Sequence, residues 1–139
     1  FLQGGRLAVV SGNLIRNINT PSPYKDDDHL WFEGISVEAD TVVTGNVIED
    51  ALNFGLILGW GPYLRDLVVT SNVIRGSKTG IAVSVVEGSG PTHIADNTIS
   101  GSSNGGVIGY RWKDAVTDEL AGAEKSGFNH LTVERNRIS

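Results

Sequence analysis

The chain reads as all-β: a parallel β-helix, a solenoid of about five coils with two insertion loops. Two repeated marks and one alternation carry that reading. Asparagine followed two residues later by isoleucine recurs in Gly12-Asn13-Leu14-Ile15, Gly45-Asn46-Val47-Ile48, Ser71-Asn72-Val73-Ile74, Asp96-Asn97-Thr98-Ile99 and Arg135-Asn136-Arg137-Ile138. Between these, a glycine opens an apolar run at Gly34-Ile35-Ser36-Val37, Gly55-Leu56-Ile57-Leu58, Gly80-Ile81-Ala82-Val83 and, more loosely, Gly105-Gly106-Val107-Ile108. Ahead of each Asn, apolar and polar positions alternate with the period of a strand.

The Asn residues lie 33, 26, 25 and 39 positions apart, so the regular unit is about 25 residues. Insertions at 17–33 and 112–128 lengthen the first and last intervals. A repeat of this size is one supersecondary unit that cannot bury its apolar face alone and must stack on its neighbours.

Three residues before each Asn stand Val10, Val43, Val69, Ile94 and Val133; five before stand Ala8, Thr41, Leu67, Thr92 and Leu131. These two columns share one strand face and point inward. Ser11, Thr44, Thr70, Ala95 and Glu134, two before the Asn, point outward, as do Val9, Val42, Val68, His93 and Thr132, four before it. The alternation breaks at the Asn, because Ile15, Ile48, Ile74, Ile99 and Ile138 beyond it are again apolar. That break is a bend between two strands. Asn suits it, being one of the few residues that tolerate positive φ, and its amide can bond the copy one coil away. Asn13, Asn46, Asn72, Asn97 and Asn136 are therefore expected to form a structural ladder. Helical patterns do not alternate with the strands, which excludes an α/β fold. Asp114–Glu124, with Val116 and Leu120 four apart, is the one stretch that reads as a short helix.

The Asn-x-Ile bend followed by Gly-Ile or Gly-Leu resembles the right-handed, single-stranded parallel β-helix repeats of the pectin-lyase-like superfamily. More narrowly, Val37-Glu38-Ala39-Asp40-Thr41, Gly59-Trp60-Gly61-Pro62-Tyr63-Leu64-Arg65-Asp66 and Gly80-Ile81-Ala82-Val83-Ser84-Val85 resemble a bacterial family of repetitive proteins exported by the twin-arginine route. The resemblance implies export in folded form, to the periplasm or beyond. It supplies no catalytic residues. In the superfamily, substrates lie along one parallel sheet, which the resemblance puts on the strands beginning at Gly34, Gly55, Gly80 and Gly106, with Ser36, Glu38, Ile57, Ala82, Ser84 and Tyr110 facing outward.

Bulk composition narrows the chemistry. The 139 residues suit one domain spanning 1–139. The chain contains no Met and begins at Phe1, so it is expected to be a segment of a longer protein. No capping element is evident at either end of the stack, so further coils of the parent chain or a second copy are expected over at least one open end. A net charge of −5 argues against nucleic acid as a partner. No apolar run approaches the roughly 18 residues that span a bilayer. With no Cys, disulfides, thiolate metal sites and cysteine nucleophiles are excluded.

Few residues suggest chemistry. Glu38 and Asp40 are the nearest approach to paired carboxylates, about 6.5 Å apart along an extended strand, within the range a glycosidase uses; a solvated strand end is the bland alternative. Trp60, Tyr63, Arg65, Tyr110, Arg111 and Trp112 are candidate ligand-binding residues, since aromatic faces beside cations suit a sugar or an anionic oligosaccharide; the alternative is that the Trp residues pack as lids over coil edges. Pro23-Tyr24-Lys25-Asp26-Asp27-Asp28-His29 matches no calcium loop, and no metal or other cofactor is expected. His93 lacks a Gly-x-Ser-x-Gly elbow. Val9, Val42 and Val68 form an outward stripe that could be a contact surface. Two functions are compatible: an exported module that binds carbohydrate or protein as a scaffold, and a polysaccharide-processing enzyme (lyase, glycoside hydrolase or epimerase).

Overall fold

A computed structural model of the chain describes residues 2–19, 32–122 and 125–139. The acidic stretch Pro23–His29 lies outside the described residues. Fourteen strands follow one another: β1 (Leu2–Ser11), β2 (Leu14–Ile18), β3 (Glu33–Thr44), β4 (Val47–Ala51), β5 (Phe54–Leu58), β6 (Arg65–Thr70), β7 (Val73–Arg75), β8 (Thr79–Ser84), β9 (Thr92–Ala95), β10 (Thr98–Ser100), β11 (Gly105–Arg111), β12 (Asp114–Ala115), β13 (Leu131–Glu134) and β14 (Arg137–Ile138). The described residues contain no α-helix, only a 3-10 turn at Gly61–Tyr63, and no helix long and apolar enough to cross a membrane.

Every strand pair is parallel except β11 with β12. One sheet runs β2-β4-β7-β10-β14. In the other, β3 is the pivot. Its first half pairs with β5, which leads on to β8 and β11; its second half pairs with β6, which leads on to β9 and β13; β1 runs along its whole length. The sheets curl around one apolar core, and rows of equivalent residues stack from layer to layer. One such row is Ile35–Leu56–Ile81–Val107, fully buried throughout.

The two inward columns lie where alternation puts them. Val43, Val69 and Ile94 are fully buried, with Val10 and Val133 partly so at the two ends. Thr41 and Thr92 enter the core with their hydroxyls donating to the carbonyls of Ala39 (2.7 Å) and Gly90 (3.2 Å), which offsets the cost of burying them. Val9, Val42 and Val68 face out. Ala95 departs from the outward column, since a single methyl in register between Thr70 and Glu134 is fully buried.

The asparagines form a ladder. Asn72 Oδ1 accepts from Asn46 N (3.1 Å) and Asn46 Nδ2 (2.9 Å), while Asn72 Nδ2 donates to Asn97 Oδ1 (3.0 Å) and to the Val43 carbonyl (3.1 Å). The same links join Asn13 to Asn46 and Asn97 to Asn136. The amides of the inner layers are thereby saturated, as buried polar groups must be.

Positive φ at the bend does not belong to Asn, contrary to expectation. It belongs to the residue before it: Gly12 (68°), Gly45 (66°), Ser71 (60°), Asp96 (58°) and Arg135 (53°). The Asn keeps an ordinary backbone and turns its amide along the stack. Two further bend columns share this conformation, Asn17–Asp50–Gly76–Gly101 and Leu7–Asp40–Asp66. Gly, Asn and Asp predominate there, being the residues that reach this region at least cost.

The two sequence marks meet sterically. A Cβ at Gly34 would stand 2.7 Å from Ile48 Cγ2, and one at Gly80 2.5 Å from Ile99 Cγ2; Gly55 and Gly106 face Ile74 and Ile138 in the same way. Glycine is needed because the isoleucine two past each Asn fills that space.

The helix expected over Asp114–Glu124 is absent from its described part, 114–122. β12 pairs antiparallel with β11, Leu120 is buried in the core, and Val116 is 47% exposed. The missing cap is also corrected. Gly106 N and Val107 N donate to the two Glu119 carboxylate oxygens (2.6 and 2.7 Å), and Gly109 N donates to Thr117 Oγ1 (2.8 Å). The second insertion therefore covers the outer edge of β11, one recognised way of blunting an edge strand.

Candidate aromatic site

Beyond the row Val37–Leu58–Val83–Gly109 the layers part company. β3 continues without a loop, bending only at Asp40 (φ 51°), while longer segments follow Leu58, Ser84 and Arg111. The 3-10 turn, with Pro62 in its first turn, sets Trp60 at the rim. A two-residue turn between β11 and β12 does the same for Trp112, whose φ is 56°. The two indoles meet edge to face, ring centroids 5.5 Å apart and 73° between planes, a preferred aromatic geometry. Gly61 (φ 60°) carries no side chain because the Trp112 ring lies on it; a Cβ there would stand 2.5 Å from Cζ3.

Below the rim, Tyr110 crosses the outer face of the sheet. Its hydroxyl lies 3.1 Å from Thr79 Oγ1, and its ring meets Phe54 edge to face at 5.6 Å. Ala82 and Ile108 are buried with it. Phe54, Ile57, Ala82, Tyr110, Trp60 and Trp112 line a shallow apolar cleft with an accessible volume of about 10 Å³. That is room for about one water molecule, so a sugar ring would lie against the rim and not enter the cleft. Trp60 is 40% exposed and Trp112 44%.

The other candidates scatter. Tyr63 is exposed and outside the cleft lining. Arg65 pairs with Asp40 (2.9 Å), Arg6 with Glu38 (3.0 Å) and Arg111 with Glu87 (2.7 Å). The Arg65 guanidinium holds the Asp40 carboxyl below its ordinary range, and Arg111 pulls Glu87 down to about 2. Glu38 and Asp40 are thus each tied to an arginine and do not converge on a cleft. Ser84 is buried, its hydroxyl donating to the Gly61 carbonyl (2.6 Å), so it ties two loops together. His93 lies 3.9 Å from Glu134 on the outer surface.

Glu33 escaped the sequence reading. It is 8% exposed, stands in register beside Phe54, and burial pushes its carboxyl above the ordinary range. One signal was available: in its row the other layers carry Phe54, Thr79 and Gly105, so an acid there is out of pattern.

No protein-family model, no curated protein and no solved structure matches this chain.

Proposed function

We propose that the chain is a segment of a right-handed parallel β-helix, an exported module that binds neutral carbohydrate on the Trp60–Trp112 rim. The one observation that carries the binding reading is the meeting of two half-exposed tryptophans, from loops of different layers, over a cleft lined by no charged side chain. An amphipathic ring that presents an apolar face suits a tryptophan surface of this kind. Neutral ligands are favoured over anionic ones because Arg65 and Arg111 are both engaged by carboxylates. The solenoid reading is supported by parallel pairing in consistent register, three columns of left-handed bends and the ladder; parallel crossovers are right-handed in about 98% of cases. Export rests on the resemblance of residues 37–41, 59–66 and 80–85 alone.

A glycan array probed with the chain and with Trp60→Ala and Trp112→Ala tests the binding reading. Retention of neutral glycans that both substitutions abolish is expected. Binding confined to acidic glycans, or indifferent to both tryptophans, would sink it.

Glu33 favours the second reading, polysaccharide processing, because a carboxyl whose pKa burial raises, in register beside Phe54 of the cleft, suits a general acid. Reducing-end and unsaturation assays decide it: turnover lost in Glu33→Gln or in Glu38→Ala would establish an enzyme.

A further inference from the structure

Ten asparagines stand in the chain, and nine precede a bulkier residue, five of these β-branched. Asn104 alone precedes a glycine, Gly105. A side chain on the following residue shields its backbone nitrogen, whereas glycine leaves that nitrogen open to close approach. The nitrogen can then reach the side-chain carbonyl of the Asn before it.

The fold widens this difference. Asn13, Asn46, Asn72, Asn97 and Asn136 have their amides fixed in the ladder. Asn104 is exposed and lies just outside β11. Its amide donates to Thr79 Oγ1 at 3.4 Å, longer than the usual range for a hydrogen bond.

We propose that Asn104–Gly105 is a self-modification site, and that its isoaspartyl product frees residues 114–121 from the edge of β11. The Gly105 nitrogen attacks Asn104 Cγ. Its proton and the side-chain nitrogen depart as ammonia, and a succinimide ring closes. Water then opens the ring at one of its two carbonyls, giving aspartate or isoaspartate. No electrons are transferred; one amide becomes one carboxylate. In isoaspartate the main chain also runs through Cβ and Cγ, which adds one carbon to the backbone.

That carbon enters next to the anchor of the second insertion. Gly106 N and Val107 N donate to the two Glu119 carboxylate oxygens at 2.6 and 2.7 Å. Even a Cβ on Gly105 would lie only 3.7 Å from Glu119 Oε1. An added backbone atom moves Gly106 and Val107 out of the register set by Gly105 opposite Thr79. The new carboxylate brings a second negative charge near that of Glu119, and like charges repel. Both changes oppose the two bonds that hold residues 114–121 in place.

Peptide mapping by mass spectrometry, with enzymatic methylation to count isoaspartate, follows the folded chain during storage at mildly alkaline pH. Asn104 is expected to convert ahead of the other nine asparagines, and faster as pH rises. In the aged chain, hydrogen exchange at the Gly106 and Val107 amides is expected to speed at least about tenfold, the contribution of a charge-assisted hydrogen bond. Amides of the Asn ladder keep their protection. Asn104→Gln, whose longer side chain closes the ring far more slowly, is expected to age without either change. The comparison of fresh with aged wild type needs no variant, so it decides the matter even where Asn104→Gln fails to fold. An Asn104 that stays intact in the folded chain, while a synthetic peptide of residues 100–108 deamidates, overturns the proposal. So does deamidation that leaves exchange at Gly106 and Val107 unchanged, or an Asn104→Gln variant that ages as wild type does.

Discussion

Two corners of the same layers behave in opposite ways. At the Asn bend, every layer repeats one residue and one set of bonds. At the corner beyond Leu58, Val83 and Gly109, each layer leaves by its own route, and the aromatic residues gather there. Sameness at the first corner follows from stacking, since each amide must meet its own image above and below. At the second, the loops project outward, free of that demand, and side chains from distant layers can combine. Repetition thus marks what the fold requires, and departure from it marks where ligand chemistry can be built.

The largest effect that would separate the corners is Asn72→Ala. It leaves two Asn46 donors without their acceptor, removes the side-chain donor from the Val43 carbonyl, and leaves the Asn97 Oδ1 with only the residue 72 backbone N–H of its two Asn72 donors. Loss of roughly 3–5 kcal/mol in urea unfolding is expected, with carbohydrate affinity of the folded fraction unchanged. Trp112→Ala should do the reverse, lowering affinity at least about tenfold while costing only about 1–2 kcal/mol of stability for a half-exposed ring. If one substitution impaired both properties equally, the two corners would not be separable.

A smaller effect concerns pH. Because the folded-state pKa of Glu33 is raised, its contribution to stability is present below the unfolded value and lost as pH rises through the folded one. Glu33→Gln should therefore melt higher than wild type at neutral pH, with the gain fading toward acid. Glu87 has the opposite sign: held at about 2 by Arg111, it stabilises above the unfolded carboxylate range and loses that contribution as pH falls toward 2. Being exposed, this pair contributes little. Melting temperature against pH for wild type and Glu33→Gln checks both signs.

The smallest effect is a gain. Ser77 and Ser102 have buried hydroxyls with no hydrogen-bond partner among the described residues. Ser77→Ala should stabilise by up to about 1 kcal/mol, measured by urea denaturation; a loss instead would show that the hydroxyl has a partner after all.

What was legible follows the same division. The ladder, the inward columns and the parallel all-β character could be read because they recur. The positive-φ position could not, since Gly12, Gly45, Ser71, Asp96 and Arg135 are of four residue types yet adopt one conformation. The 114–122 segment imitated a helix because Val116 and Leu120 are four apart, although only Leu120 reaches the core. Sequence order could bring Trp60 near Trp112 only through the layer spacing. The commitment of Arg65 and Arg111 to acids depends on side-chain placement that no spacing reveals.

The contact between the glycine column and the isoleucines has a consequence for transport. The interior at that height is closed to less than the room a methyl group needs, and Ile48, Ile74 and Ile99 beside it are fully buried. Among the described residues no channel passes between these two columns, so a ligand meets this part of the molecule from outside and not through its interior.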